Sequence, residues 1–405
     1  MVQLNFTLEQ EFLIGLFSEN RETAYAKLME QILNQVLKAE SDEKLKASKH
    51  ERSEERTDYR NGMRERTLTL RVGKVRLNVP RHRYEPFHSC IIEQYRRNEA
   101  ALISTMMEMV IQGVSTRKVS KLTEQLCGQS FSKSTVSNLC KELDVQVQSF
   151  KNRPLDKKYY FIMADAMYIK IRENHRVRSK GLFVALGINE EGYKEIIGFE
   201  VYDGENESNW ETFFKSLKAR GLEDVDLIGS DCHIGLKNAI QSVFPNSGWQ
   251  RCQVHFRKNI IAKVPKKYMK PINTALTEIF TSKTLEEARS KKETLVAKYG
   301  EKLENAMDIL EEGFDDVMTV MELPEKYRKK LRTTNILERE NEELRRREKV
   351  IRIFPNKASA IRLMGAVLLD HHENWLYGNK VLDMEMYEKE CVEFEEKKTK
   401  LDPVV

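Results

Sequence analysis

The sequence predicts a multi-domain α/β protein: a mixed-sheet core that carries an all-α insertion and follows helical, β-hairpin and helix-turn-helix segments. Three observations predict it. The chain has 405 residues, two to three times a usual domain, enough to bury a large core and still carry accessory domains. After Pro154, short apolar runs follow in the order β-β-β-α-β, the pattern of a mixed sheet with a covering helix. From Arg257 to Arg332 the apolar spacing is helical almost throughout, as an all-α insertion requires.

The first segment, residues 1–62, has little Gly or Pro from Leu8 to Ala47 and ends on Asn61-Gly62, a turn signal. It reads as helical. In region 63–97, RTLTLRVGKVRLNVP alternates Leu68, Leu70 and Val72 with polar residues, turns at Gly73-Lys74 and resumes with Val75, Leu77 and Val79. That is a β-hairpin with one basic face. Around it, between Arg52 and Arg97, Arg60, Arg64, Arg66, Arg71, Lys74, Arg76, Arg81, Arg83 and Arg96 form a candidate phosphate-contacting surface, with a solvated charged face as the alternative. In region 98–153, STRKVSKLTEQLCGQSFSKSTVSNLCKEL offers a Ser-capped helix, a turn at Gly128, and a second helix opened by Ser132 and Ser134. This has helix-turn-helix form. Arg117 and Lys118 on the first helix, and Lys133, Ser134, Thr135 and Asn138 on the second, are candidate contacts to DNA, although an αα-hairpin packed for stability has the same pattern.

The core begins at residue 154. Region 154–264 holds KYYFIMADAMYIKI, GLFVALGINEEGYKEIIGFEV and VDLIGSD as strands, ESNWETFFKSLKARG and HIGLKNAIQSVFP as helices, and GWQRCQVHF as a further strand. Region 265–333 is the insertion. Region 334–380 carries a last pair of helices, and 381–405 reads as a charged tail.

The composition of 40% hydrophobic and 32% charged residues is too apolar for disorder and too charged for a membrane protein. The opening MVQLNFTLEQEF lacks a basic leader with an apolar stretch behind it, so a cytoplasmic protein is expected. Six scattered cysteines do not form a disulfide framework. Lys plus Arg number 68 against 63 Asp plus Glu, a net charge of +5, which alone demands no polyanionic partner.

Two aspartates carry the chemical reading. Asp165 closes the apolar run Tyr159 to Met163, and Asp231 directly follows Leu227-Ile228-Gly229-Ser230, so each lies at or near the end of a buried strand. An ionised carboxylate there must replace lost hydration with hydrogen bonds or a cation. Hard oxygen ligands suit Mg²⁺, and two such carboxylates with a third can hold two metals across a phosphodiester. Structural aspartates at strand ends are also common, so the pair needs a third member to decide.

The third member comes from a resemblance. RTTNILERENEELRRREKVIRIFPNKASAIRLMGAVLL resembles the block that closes the catalytic core of the Mutator-type bacterial insertion-sequence transposases. ERSEERTDYRNGMRERTLTLRVGKVRLNVPR, STRKVSKLTEQLCG, SKSTVSNL, ADAMYIKIRE, LIGSDCHIGLKNAI and WQRCQVHFRKN are similar to further blocks of that family, in order, from about Ala24 to Trp375. The resemblance implies an RNase H-like core with a helical domain inserted between the second Asp and the Glu. It implies a DDE triad of Asp165, Asp231 and Glu338, the Glu three residues after the Asn of TTN. Two Mg²⁺ ions, for which Mn²⁺ can substitute, would serve as cofactors. The implied partners are double-stranded DNA, as terminal inverted repeats and as target, and further copies of the chain, with a dimer expected first and no membrane. The implied activity is cleavage to a 3′-hydroxyl followed by strand transfer, by copy-out with a circular intermediate, in a bacterial, nucleoid-associated setting.

Several residues have competing readings. Glu342, one turn after Glu338, is the leading substitute for the third ligand, while Asp203, Glu205, Glu207, Glu340 and Glu343 are mostly expected in solvent. A second basic cluster from Lys326 to Arg352 offers Arg345 and Arg346 to DNA. Cys252 and His255 form a C-x-x-H pair on and just after a strand. It is either half a zinc site completed by Cys232 and His233 or, as the family implies, a support beside the active site. Trp210 matches a family tryptophan and either stacks on a displaced base or is a core aromatic. Two other functions fit the same fold: an inactive RNase H-like DNA-binding regulator, and a structure-selective nuclease without strand transfer.

Overall fold

A computed structural model describes residues 8, 12–15, 21–48, 51, 54–70, 73–89, 100–127, 131–223 and 225–401. Arg52, Arg71, Val72, Arg96 and Gly128 lie outside the described residues. The chain divides into two compact units, residues 1–142 and 143–405.

In the first unit, helix α1 (Arg21–Leu45) packs on a hairpin of β1 (Arg60–Leu70) and β2 (Gly73–His82). Leu37, Val75 and Leu77 form the buried centre, with Met29, Leu33 and Leu68 around it. Asn61-Gly62 is not the turn expected. It sits within β1 at a register shift, where Gly62 takes φ +77°, a left-handed conformation that costs glycine little. Leu70 pairs with Gly73, so Gly73-Lys74 open β2 and do not form its turn. Nor is there one basic face. Lys74 and Arg76 lie opposite Thr69 and Thr67 on one side, while Arg66 shares the side of Leu68 and lies opposite Leu77.

Three further helices, α2 (Ala100–Ile111), α3 (Thr116–Cys127) and α4 (Lys133–Leu139), close over Ile103, Met106, Val119, Phe131 and Val136. The Ser132 side chain accepts the Thr135 backbone N–H at 3.0 Å and so caps α4. Helix α5 (Leu143–Asn152), which the sequence groups with these, belongs to the second unit and packs on α14, described below.

The second unit is built on β3 (Tyr159–Glu173), β4 (Arg176–Asn189), β5 (Lys194–Tyr202), β6 (Leu227–Ser230) and β7 (Gly248–Arg251), in the spatial order β5-β4-β3-β6-β7. The first three pair antiparallel; β6 and β7 run parallel to β3. Helices α6 (Glu207–Ala219) and α7 (Ile234–Val243) bury Trp210, Phe213, Phe214, Leu236 and Ile240 on one sheet face, against Ile162, Ala164, Phe183 and Ala185.

The expected all-α stretch comprises α8 (Gln253–Ile261), α9 (Lys266–Phe280), α10 (Leu285–Tyr299), α11 (Glu304–Met318) and α12 (Glu325–Leu331), with a core of its own around Phe256, Leu276, Leu310 and Phe314. Helices α13 (Asn335–Ile351) and α14 (Lys357–Leu376) follow. At Gly365 of α14 an added Cβ would fall 2.5 Å from Val147 and 2.8 Å from Phe199. Glycine here lets α14 approach α5 and β5 closely. The charged tail also holds structure: α15 (Tyr387–Leu401) buries Tyr387 against Tyr160, Phe161 and Tyr327 and bonds its hydroxyl to Asp226 at 2.7 Å. Among the described residues, no helix is long and apolar enough to cross a membrane.

Candidate active site

Asp165 is not at the end of its strand. β3 continues to Glu173, but its pairing with β6 stops at Met163 and Gly229, so Asp165 projects just past the C-terminal end of β6. Asp231, the first residue after β6, stands at the same edge. The parallel register of β3 and β6 thus sets the two aspartates side by side, and their charges interact.

The Asp165 carboxylate has two donors, the Ala166 backbone N–H to Oδ1 and the Asn341 amide to Oδ2, both at 2.8 Å. These do not offset its surroundings. Burial, then Asp231, push its pKa up to about 6, against a weaker pull from the Ala166 N–H and from His255. Asp231 accepts the His233 backbone N–H at 3.2 Å. Glu205, expected in solvent, is mostly buried and 3.8 Å from His233 Nδ1, and burial, with Asp231 adding to it, raises its pKa.

Helix α13 lies against β3 and presents Glu338 and Asn341 inward, three residues apart on one face. Glu342 is exposed, so the leading substitute points away from the aspartates. Glu340 is buried and meets His371 Nδ1 at 2.9 Å, which anchors α13 on α14. Glu338 Oε1 lies 3.0 Å from His255 Nε2. Among the described residues, no three His, Cys, Asp or Glu side chains converge into a group able to hold a metal ion.

Strand β7 ends at Arg251, and Cys252 is the N-cap of α8 with His255 in its first turn, so the C-x-x-H pair opens a helix. Cys252 Sγ accepts the Thr334 backbone N–H at 3.4 Å. Burial pushes the thiol up, but hydrogen bonds with His255 and Thr334 bring it below its ordinary value. The bond to Cys252 raises His255, with Glu338 and Asp165 adding to it against burial. The pair therefore ties α8 to Thr334 and Glu338 at the start of α13. Cys232, expected with His233 to complete a zinc site, is exposed while Cys252 is buried. Cys252→Ser and His255→Ala are expected to lower the activity of this site several-fold by loosening α13, with no zinc lost. Elemental analysis decides: stoichiometric zinc in the wild type that disappears in either variant would contradict this role.

Trp210 is fully buried and stacks on Phe183 with ring centroids 3.9 Å apart, its indole N–H donating to Glu205 at 3.3 Å. It is a core aromatic and cannot reach a displaced base. Arg117, Lys118, Lys133, Ser134 and Asn138 are exposed and Thr135 is half-buried, with the hydroxyls of Ser134 and Thr135 bonded to Ser132. Arg345 and Arg346 are exposed on α13, and Arg346 pairs with Glu343 at 2.5 Å. Asn341 is the site residue the sequence did not single out, and Glu205 the one it placed in solvent. For Asn341 the signal was its spacing of three from Glu338.

A raised carboxyl pKa also predicts stability. The folded state holds the Asp165 proton more tightly than the unfolded chain, so between about pH 4 and pH 6 stability falls as pH rises and stays lower above. The displacement is worth at most about 3 kcal/mol. Asp165→Asn should therefore raise the melting temperature of chelator-treated protein by several degrees at pH 8, with the gap closing below pH 4. An equal or lower melting temperature at pH 8 would show that the carboxylate is compensated.

The chain matches the model of the family described as Transposase, Mutator family, over residues 8–378. It is 44% identical over 384 residues to the transposase for insertion sequence element IS256 in transposon Tn4001 of Staphylococcus aureus, covering 94% of this chain and 98% of that one. It is 40% identical over 354 residues to the transposase for insertion sequence element ISRM5 of Rhizobium meliloti (strain 1021), covering 87% and 89%. The crystal structure of the Mos1 Strand Transfer Complex aligns over 41% of this chain and 60% of that one, at 11% identity and a TM-score of 0.16, a likeness too slight to carry an argument.

Proposed function

The chain belongs to the Mutator family of transposases, and on that premise we propose that it binds the terminal inverted repeats of its own insertion sequence, cleaves to expose a 3′-hydroxyl, and transfers that end to target DNA through Asp165, Asp231 and Glu338. The observation that carries this reading is the uncompensated pair: two aspartates brought to one sheet edge, one of them buried and raised to about 6. Such a pair suits a divalent cation. Asn341 Oδ1, buried without a hydrogen-bond partner among the described residues, adds a neutral oxygen nearby. The strand order, with three antiparallel strands and two parallel ones beside the first, supports an RNase H-like core.

Asp165, Asp231 and Glu338 would hold Mg²⁺ or Mn²⁺, which supplies charge stabilisation at the attacking and leaving oxygens of the phosphodiester. The chain's own residues set the geometry. β3 and β6 fix the two aspartates, Asn341 orients Asp165, and His255 holds Glu338 at the rim. No Ser-His or Tyr nucleophile is required, because phosphoryl transfer of this kind rests on positioning and electrostatics. The three-helix cluster of the first unit would read the repeats. A homo-oligomer, with a dimer expected first, would act in the bacterial cytoplasm by copy-out with a circular intermediate.

Joining of a labelled terminal-repeat duplex to a target plasmid tests the reading. The transposase joins; a structure-selective nuclease only cuts; a catalytically inactive regulator only binds. Cutting without joining, or binding alone, would overturn strand transfer.

A further inference from the structure

Past Asp165, β3 outruns β6 and continues with β4 as a two-stranded arm. Tyr168 lies opposite Gly181, Lys170 opposite Ser179 and Arg172 opposite Val177. The arm turns through Asn174 and His175, both left-handed at φ +47° and +61°, as a tight two-residue hairpin turn requires. Its free edge is tied down. Phe354, just beyond α13, accepts the Arg172 N–H and donates its own to Lys170 O, both at 2.8 Å, so the arm is braced against the helix that carries Glu338.

The two faces of the arm differ. Ile169 and Ile171 are buried on one. On the other, Tyr168 is 54% and Val177 45% exposed, with Lys170 and Arg172 exposed between them. Arg176 and Arg178, opposite Glu173 and Ile171, belong to the first face but are exposed near the turn. Among the described residues none of these four cations has an ion-pair partner, and the arm's carboxylate, Glu173, is taken up by buried Lys180 at 2.5 Å. Two unpaired cations on the face of an exposed tyrosine, with two more near the tip, complement a polyanion with an amphipathic backbone. Same-face side chains on a strand stand about 6.6 Å apart, close to twice the roughly 3.4 Å advance per nucleotide of a DNA strand. By the strand rise, Tyr168 is about 10 Å and Arg172 about 23 Å from Asp165, within one turn of a duplex seated at the carboxylates.

We propose that this arm is a second duplex-DNA surface, in which Lys170 and Arg172 on its open face and Arg176 and Arg178 near its tip grip backbone phosphates beside the reacting bond and Tyr168 packs on the sugar. The proposal rests on the transposase reading above. The duplex comes either from the element's end or from the target, and the chemistry is the same.

Full-length wild type and Lys170→Gln/Arg172→Gln/Arg176→Gln/Arg178→Gln are titrated with salt on a terminal-repeat duplex and on a duplex of unrelated sequence, by fluorescence anisotropy. The expected result is a plot of log Kobs against log[salt] shallower by roughly 0.9 for each phosphate the variant no longer neutralises, with joining reduced at least about tenfold. Should the fourfold variant fail to fold by circular dichroism, Lys170→Gln/Arg172→Gln is expected to show about half the change in slope. A photocrosslinking p-benzoylphenylalanine in place of Tyr168 is expected to attach to DNA, and labelling the end or the target shows which source it meets. Unchanged slope and unchanged joining in a folded variant overturn the proposal. The two readings fail separately. Wild type that joins nothing while its slope depends on the arm refutes strand transfer and leaves this surface standing; wild type that joins with an arm-independent slope does the reverse.

Discussion

Asp165→Ala and Asp231→Ala are each expected to abolish cleavage and strand transfer while leaving terminal-repeat binding intact. Each removes an anionic side chain, which offers a phosphate no attraction that could be lost. With a cation held as proposed, its charge at the developing alkoxide and the alignment of the attacking oxygen would be lost together, effects worth several kcal/mol and so at least about three orders of magnitude in rate. A tenfold loss would be too little and would place the aspartates in support of some other centre. Asp165→Ala should stay folded, because the carboxylate of Asp165 raises no stability above pH 6 that its removal could cost.

Removing residues 1–142 should have the second large effect, loss of specific end recognition with the carboxylate site intact. The boundary follows the division of the chain into two units, and the helix presenting Lys133 and Asn138 lies before it. A protein of residues 143–405 should bind terminal repeats no better than unrelated duplex, a fall of some 10³-fold or more if the first unit supplies the specificity. In the full chain, Lys133→Ala should lower the salt slope by about one if Lys133 touches a phosphate. Equal affinity for repeats with and without residues 1–142 would remove the assignment.

The order of strands and helices was legible because apolar period changes at each boundary: alternating in the hairpin, continuous in β3 to β6, helical from Arg257 onward. Where the reading missed, a contact through space had decided the structure. Asp165 looked like a strand end because the apolar run stops there. The strand goes on because every second residue beyond it, Ile169 and Ile171, is buried, with Phe354 paired along the free edge. Asn61-Gly62 has turn composition but serves as a bulge in a strand that α1 covers. The helix in the charged tail was invisible because its anchors lie in two other elements: Tyr387 joins a ring cluster with Tyr160, Phe161 and Tyr327, and Glu388 and Glu390 accept from Tyr160 and Tyr327. Glu205 and Asn341 carry no local motif. Only the meeting of β5, α7 and α13 at one edge gives them a role, and Trp210, read as a possible base contact, instead holds Glu205.

The most direct test sets Glu338→Ala beside Glu342→Ala in the joining reaction, with end binding measured on the same preparations. Glu338 faces the aspartates through His255, and Glu342, one turn further, is in solvent. The expected result is no joining by Glu338→Ala and near wild-type joining by Glu342→Ala, both with unchanged end affinity. Active Glu338→Ala beside dead Glu342→Ala would contradict the account, and would mean that the third carboxylate approaches from the next turn of α13.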